Sequence, residues 1–95
     1  MMNPDGEKDL LLLQGLIDAF EKLEVGVNFA RLSVGDVAGK GGLAKVGGKK
    51  ILVIDRDLST GEMCELLASE LARMDVEGLF LAPIVRDAVD KYRGK

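Results

Sequence analysis

Residues Leu43 to Asp55 constrain the fold more than any other part of this chain. Leu43–Val46 and Lys49–Asp55 flank Gly47-Gly48, and a two-residue glycine link between apolar runs suits a type I′ hairpin, whose two central residues both need positive φ. In the second arm, Ile51-Leu52-Val53-Ile54 is apolar on both faces. A half-solvated strand alternates apolar and polar residues, so this run is expected to be a central strand covered on each side. The rest of the chain must then supply the layers that cover it.

The flanking segments read mostly as helix. From about Asp5 to Glu24, residues Leu10, Leu12, Leu13, Leu16, Ile17, Phe20 and Leu23 recur at helical spacing over an arc of roughly 160°. Asn3 or Asp5 can cap that helix, Pro4 is tolerated in its first turn, and Gly26 is expected to stop it. Leu11 lies opposite the arc, among Lys8, Asp18 and Lys22, where it could mark the edge of a subunit contact. Val25 to Val34 is strand-like, with Val25, Val27 and Phe29 on one side, and Gly35-Asp36 signals a turn. Ser59 and Glu62 have the spacing of a capping box, opening a second helix to about Met74 with Met63, Leu66, Leu67, Leu71 and Met74 toward the core. Gly78-Leu79-Phe80-Leu81 is expected to be a short fourth strand. Pro83 then opens a last helix to about Tyr92, with Ile84, Val85, Ala88 and Val89 inward. The expected order is α-β-β-β-α-β-α, an α+β fold with helices packed on a small mixed sheet. It forms one domain over residues 1–95, with residues 1–4 expected to be flexible.

Composition narrows the function classes. Aromatic residues make up 4% of the chain and there is no Trp, so the core rests on Leu, Val, Ile and Met. A core this narrow often gains stability from a partner, and a homodimer or another protein partner is expected. The net charge of −3 argues against broad nucleic-acid binding, which depends on neutralising phosphates. A single cysteine, Cys64, cannot form an internal disulfide. The first residues lack the basic region of a signal peptide, and Leu10–Leu13 is far too short to span a membrane. A cytoplasmic, soluble chain with no membrane partner and no cofactor is expected.

Five features carry candidate chemistry. Ser69-Glu70-Leu71-Ala72-Arg73 has the frame of the zinc-protease motif His-Glu-x-x-His, in which two residues one turn apart ligate the metal and the Glu activates water. Serine is a poor zinc ligand and a guanidinium repels the metal, so zinc catalysis here is close to excluded. Glu70 still falls inside an apolar arc. It needs a partner, with Arg73 nearest and Arg31 or Arg86 further off, or it must reach water at the rim of the core. It is the weak catalytic candidate. Asp55 and Asp57, at the end of the apolar strand, could share a hard cation and are the weak metal candidates. The plainer reading ends a strand at Asp55 and places Asp57 near a helix N-terminus, where its charge is favourable. Gly39-Lys40-Gly41-Gly42-Leu43-Ala44 formally fits Gly-x-Gly-x-x-Ala, but it runs into a hairpin where a dinucleotide loop must open a helix. Its glycines are expected to serve turns. Lys40, Lys45, Lys49 and Lys50 are weak anion-contact candidates, without aromatic residues for base stacking, and lysines also protect strand edges. Cys64 has no activating His or second Cys and is expected to be a buried, inert thiol.

Two resemblances rest on these residues. The hairpin arm Lys49-Lys50-Ile51-Leu52-Val53-Ile54-Asp55, followed by the helix Leu67-Ala68-Ser69-Glu70-Leu71-Ala72-Arg73, resembles the core of the ImmA/IrrE-type metallopeptidases over roughly residues 42–74. That resemblance implies a zinc-bearing helix, of which only Glu70 remains here. The chain also resembles a set of small uncharacterised bacterial proteins over about half its length. The matching features are the hairpin Gly41-Gly42-Leu43-Ala44-Lys45-Val46-Gly47-Gly48, the strand ending in Asp55, the Leu-Ala-x-x-Leu-Ala helix, and the closing Asp75, Glu77 and Pro83. This second resemblance implies no activity. The expectation is a non-catalytic bacterial protein acting by association. The alternatives are a degenerate or unconventional metal-dependent hydrolase using Glu70 or Asp55/Asp57, and an anion- or nucleotide-binding module on the Gly/Lys hairpin.

Overall fold

A computed structural model describes residues 4–31 and 41–93. The elements are α1 (Pro4–Lys22), β1 (Gly26–Ala30), β2 (Gly41–Val46), β3 (Lys49–Asp55), α2 (Thr60–Leu71) and α3 (Pro83–Arg93). The strands form one mixed sheet in the order β1-β3-β2, with β3 central, parallel to β1 and antiparallel to β2. This is the α+β arrangement of a small mixed sheet with helices packed on it. Asn3, Val34, Gly35-Asp36, Gly39 and Lys40 lie outside the described residues.

The hairpin agrees closely with the sequence pattern. Val46 pairs with Lys49 across Gly47 at φ 58° and Gly48 at φ 83°, the two positive-φ positions that a type I′ turn demands. At the other end of β2, Gly41 takes φ 143°, and a side chain there would collide with the Val53 carbonyl of the neighbouring strand. Gly41 and Gly42 are therefore strand residues rather than loop.

The core lies on one face of the sheet. Leu52 and Ile54 are fully buried against Leu16 and Phe20 of α1, Leu67 and Leu71 of α2, and Val85 and Val89 of α3. Ile51 and Val53, on the opposite face, are half-buried and lie outside that core cluster. The expectation that β3 is covered on both sides is thus corrected. Among the described residues, the helices all pack on the Leu52/Ile54 side, and the far face carries Ile51 and Val53 beside exposed Ala44 and Val46.

Two further expectations change. Gly78–Leu81 forms no strand: Gly78 turns at φ 83°, Leu79 donates its N–H to the Val76 carbonyl, and Leu81 is buried as an irregular anchor while Phe80 is exposed. Leu10, placed in the buried arc, is 53% exposed. It lies about 120° around α1 from Leu16, and α1 packs on α2 and α3 through the side centred on Leu16 and Phe20.

The helix ends explain the layout. α1 closes in a Schellman motif: Val25 N–H donates to Phe20 O at 2.9 Å and Glu24 N–H to Glu21 O at 2.9 Å, with Val25 and Phe20 both buried. The left-handed residue of that motif is Glu24, at φ 61°, so the helix stops ahead of Gly26 and without its help. α2 opens on the expected capping box, with Glu62 N–H donating to Ser59 Oγ and Ser59 N–H to Glu62 Oε1. It ends at Leu71, short of Met74, and Arg93 of α3 caps the carbonyls just past that end: Nε donates to Ala72 O at 3.3 Å and Nη2 to Met74 O at 2.8 Å.

Candidate functional site

The last turn of α2 forms one wall of a cleft of about 660 Å³. The α1–β1 corner contributes Leu23 and Val25, the hairpin contributes Leu43 and Lys50, and the α2 end contributes Glu70, Arg73, Met74 and Asp75. The helix places Glu70 there because Leu67 and Leu71, three positions before it and one after, are fully buried and fix the rotation of α2. Glu70 is half-buried, and among the described residues its carboxylate makes no ion pair or hydrogen bond. Of the two expectations for it, no partner pairs with it among the described residues, since Arg73 shares the cleft without pairing and Arg31 is engaged elsewhere, and its half-buried position is that of a group at the rim of the core. Ser69, beside it, donates its Oγ–H to Leu66 O at 2.8 Å, so that hydroxyl is spent on its own helix.

Asp55 and Asp57 are both committed locally. Asp55 is buried at the end of β3 and its Oδ1 accepts the Asp57 N–H at 3.0 Å. Asp57 is exposed and its Oδ2 lies 3.7 Å from Arg31 Nε. Among the described residues no group of three His, Cys, Asp or Glu side chains is placed to hold a metal ion.

The lysines divide. Lys45 and Lys50 are cross-strand partners and share one face of the hairpin, the face that bears Leu52 and the cleft, whereas Lys49 alternates to the other. Like charges directly opposite each other in a sheet repel. A smaller hollow lined by Glu24, Gly48 and Lys49 adjoins the cleft and shares Leu23 and Lys50 with it.

Cys64 is buried, and its thiol donates to Asp9 O at 3.3 Å. Burial pushes the thiol up to about 11, with Asp9 and Glu65 adding to the shift, so it stays protonated and unreactive at neutral pH.

A second surface is only partly legible in the sequence. Along the seam between α1 and α3 runs a groove lined by Lys8, Asp9, Leu12, Ile84, Asp87 and Lys91. Toward the other end of α1 it gives way to a smaller hollow that includes Gly15, Asp18, Lys22 and Phe80. Gly15 permits this close approach, because a methyl group there would lie 2.6 Å from Val85 Cγ2. Leu11, 67% exposed, sits three residues beyond Lys8 on the same flank, and Phe80 is 74% exposed with Lys22 Nζ 5.9 Å from its ring centre. Leu11 is the one sequence signal for this surface; the apolar run around Phe80 reads as strand and hides its exposure.

No protein-family model, curated protein or solved structure matches this chain. No helix among the described residues is long and apolar enough to cross a membrane.

Proposed function

We propose that this chain is a non-catalytic, cytoplasmic bacterial protein that acts by association, pairing with a second copy of itself through the α1–α3 seam. The observation that carries this reading is the composition of the seam. Exposed Leu11 and Phe80 flank an apolar strip containing Leu12 and Ile84, bordered by Lys8, Lys22 and Lys91 on the one hand and Asp9, Asp18 and Asp87 on the other. Three cations balanced by three anions let a two-fold axis bring lysines onto aspartates, as an isologous interface requires. Large apolar side chains left in water on such a strip mark a contact surface. The same reading keeps the resemblance to the small bacterial proteins, supported by the glycine hairpin and the capped helix beyond it.

Catalysis is left out of the reading for positive reasons. Ser69 and Asp57 are occupied by Leu66 O and Arg31, and the Glu70 carboxylate stands alone among the described residues. Sedimentation equilibrium tests the proposal. The expected mass is twice 10.2 kDa at tens of micromolar, reverting to 10.2 kDa in the double variant Leu11→Asp, Phe80→Ser, with the variant still folded by far-ultraviolet circular dichroism. A single 10.2 kDa species for the parent chain at several hundred micromolar overturns it.

A further inference from the structure

The cleft at the end of α2 shares no residue with the α1–α3 seam, and its chemistry differs. Its apolar floor is Leu23, Val25, Leu43 and Met74, and around that floor stand Lys50, Arg73, Glu70 and Asp75. Among the described residues no ion pair joins any of these four charges to another or to a neighbour, and of the two carboxylates Asp75 gives one oxygen, Oδ1, to the Glu77 N–H at 3.0 Å. Its volume of about 660 Å³ is of small-molecule size. A ligand of one sign fits badly: an anion on Lys50 and Arg73 meets Glu70 and Asp75, and a cation on the carboxylates meets Lys50 and Arg73. The two signs are also unevenly distributed. The hairpin end is cationic, because Lys45 opposes Lys50 across the strands and Lys49 borders the adjoining hollow. At the α2 end, Glu70 and Asp75 supply the negative charge, with Arg73 standing among them and the carbonyls past the helix already capped by Arg93.

We propose that this cleft binds a zwitterion with an apolar side chain, that is, a free amino acid or a short peptide. The α-ammonium group is received by Glu70 and Asp75 at the α2 end. The carboxylate is received by Lys50, where it relieves the repulsion between Lys45 and Lys50, and the side chain covers the Leu23, Val25, Leu43 and Met74 floor. Arg73, contributed by the same α2 end as the two carboxylates, is the second cation available to the ligand carboxylate. Each charged contact is made by a group that has no ion-pair partner among the described residues, so removing one costs binding without unfolding the chain.

Titration of the full ¹⁵N-labelled chain, followed by its amide signals, tests this with leucine, with the tripeptide Leu-Ala-Leu, with the same tripeptide acetylated and amidated, and with pyrophosphate. Leucine or the free tripeptide, whichever is the source of the chemistry, is expected to shift the amides of Val25, Leu43, Lys50 and Arg73. Capping both ends is expected to weaken binding at least about tenfold, and Glu70→Gln and Lys50→Gln are each expected to weaken it by about tenfold. Spectra of the two variants away from the cleft report that they remain folded. No shift with either zwitterion, equal binding of the capped peptide, indifference to both substitutions, or binding of pyrophosphate alone each overturns the proposal. None of these outcomes bears on the sedimentation result, so the two proposals fail separately.

Discussion

α1 and α2 stop in opposite ways. The end of α1 is built from its own next few residues: Phe20, Glu24 and Val25 close the Schellman motif, and the only irregularity is a glutamate in the left-handed position that usually belongs to glycine. The end of α2 is finished by a side chain from another helix, since Arg93 reaches the Ala72 and Met74 carbonyls across 21 and 19 residues of sequence. One end is a local event and the other exists only once α3 has docked. Both border the cleft, so its opposite walls depend on different kinds of interaction.

The largest test of that contrast is Phe20→Ala. Phe20 is fully buried and is also the apolar partner of Val25 in the α1 stop, so its loss is expected to cost about 3–5 kcal/mol in urea unfolding and to loosen the α1–β1 corner. Arg93→Ala comes next. Two hydrogen bonds from an exposed charged donor are expected to be worth about 1–2 kcal/mol together, and hydrogen exchange should quicken in the last turn of α2 while the end of α1 stays protected. Glu24→Gly goes the other way. Relief of a left-handed non-glycine residue is expected to raise stability by about 1 kcal/mol, whereas Glu24→Ala, which keeps the β-carbon, should not. Equal stability of the glycine and alanine variants would remove the strain argument.

The smallest effect appears only in alkaline solution and concerns a single hydrogen bond between the two helices, Cys64 to Asp9 O. The folded thiol is raised from 9.0 to about 11, so between those values the unfolded chain releases a proton that the folded chain retains. Stability from this group is therefore intact below pH 9 and declines as pH rises toward 11, and Cys64→Ala should flatten that decline in urea melts at stepped pH.

Legibility in the sequence divides along the same line between local and distant. Gly47-Gly48, the Ser59/Glu62 box and Pro83 place a turn and two helix starts correctly because each acts within about three residues. Gly78–Leu81 misleads because short apolar runs do not distinguish a strand from an irregular anchor, and here Leu81 fills the core from a segment that pairs with nothing in the sheet. Ile51 and Val53 suggest a second covering layer, although half-buried β-branched residues are also at home on an open sheet face. At the cleft, Glu70 stands out in the sequence as a charge in an apolar arc, but Lys50, Leu23 and Met74 come from three different parts of the chain and no spacing rule gathers them. The contribution of Arg93 has no sequence signal, because a terminal-turn arginine on α3 reads as solvent-facing.

The mixed sheet implies an order of assembly. β2 and β3 meet across two residues, and such hairpins close in about 1–10 μs. β1 pairs with β3 in parallel, each partner about 25 residues from its mate, and that contact has to wait for a much larger loop to close. On loop length alone, the hairpin is expected to form before β1 pairs with it. A substitution at Gly47-Gly48 is then expected to slow folding, and one in β1 chiefly to speed unfolding, which stopped-flow measurements in urea would check.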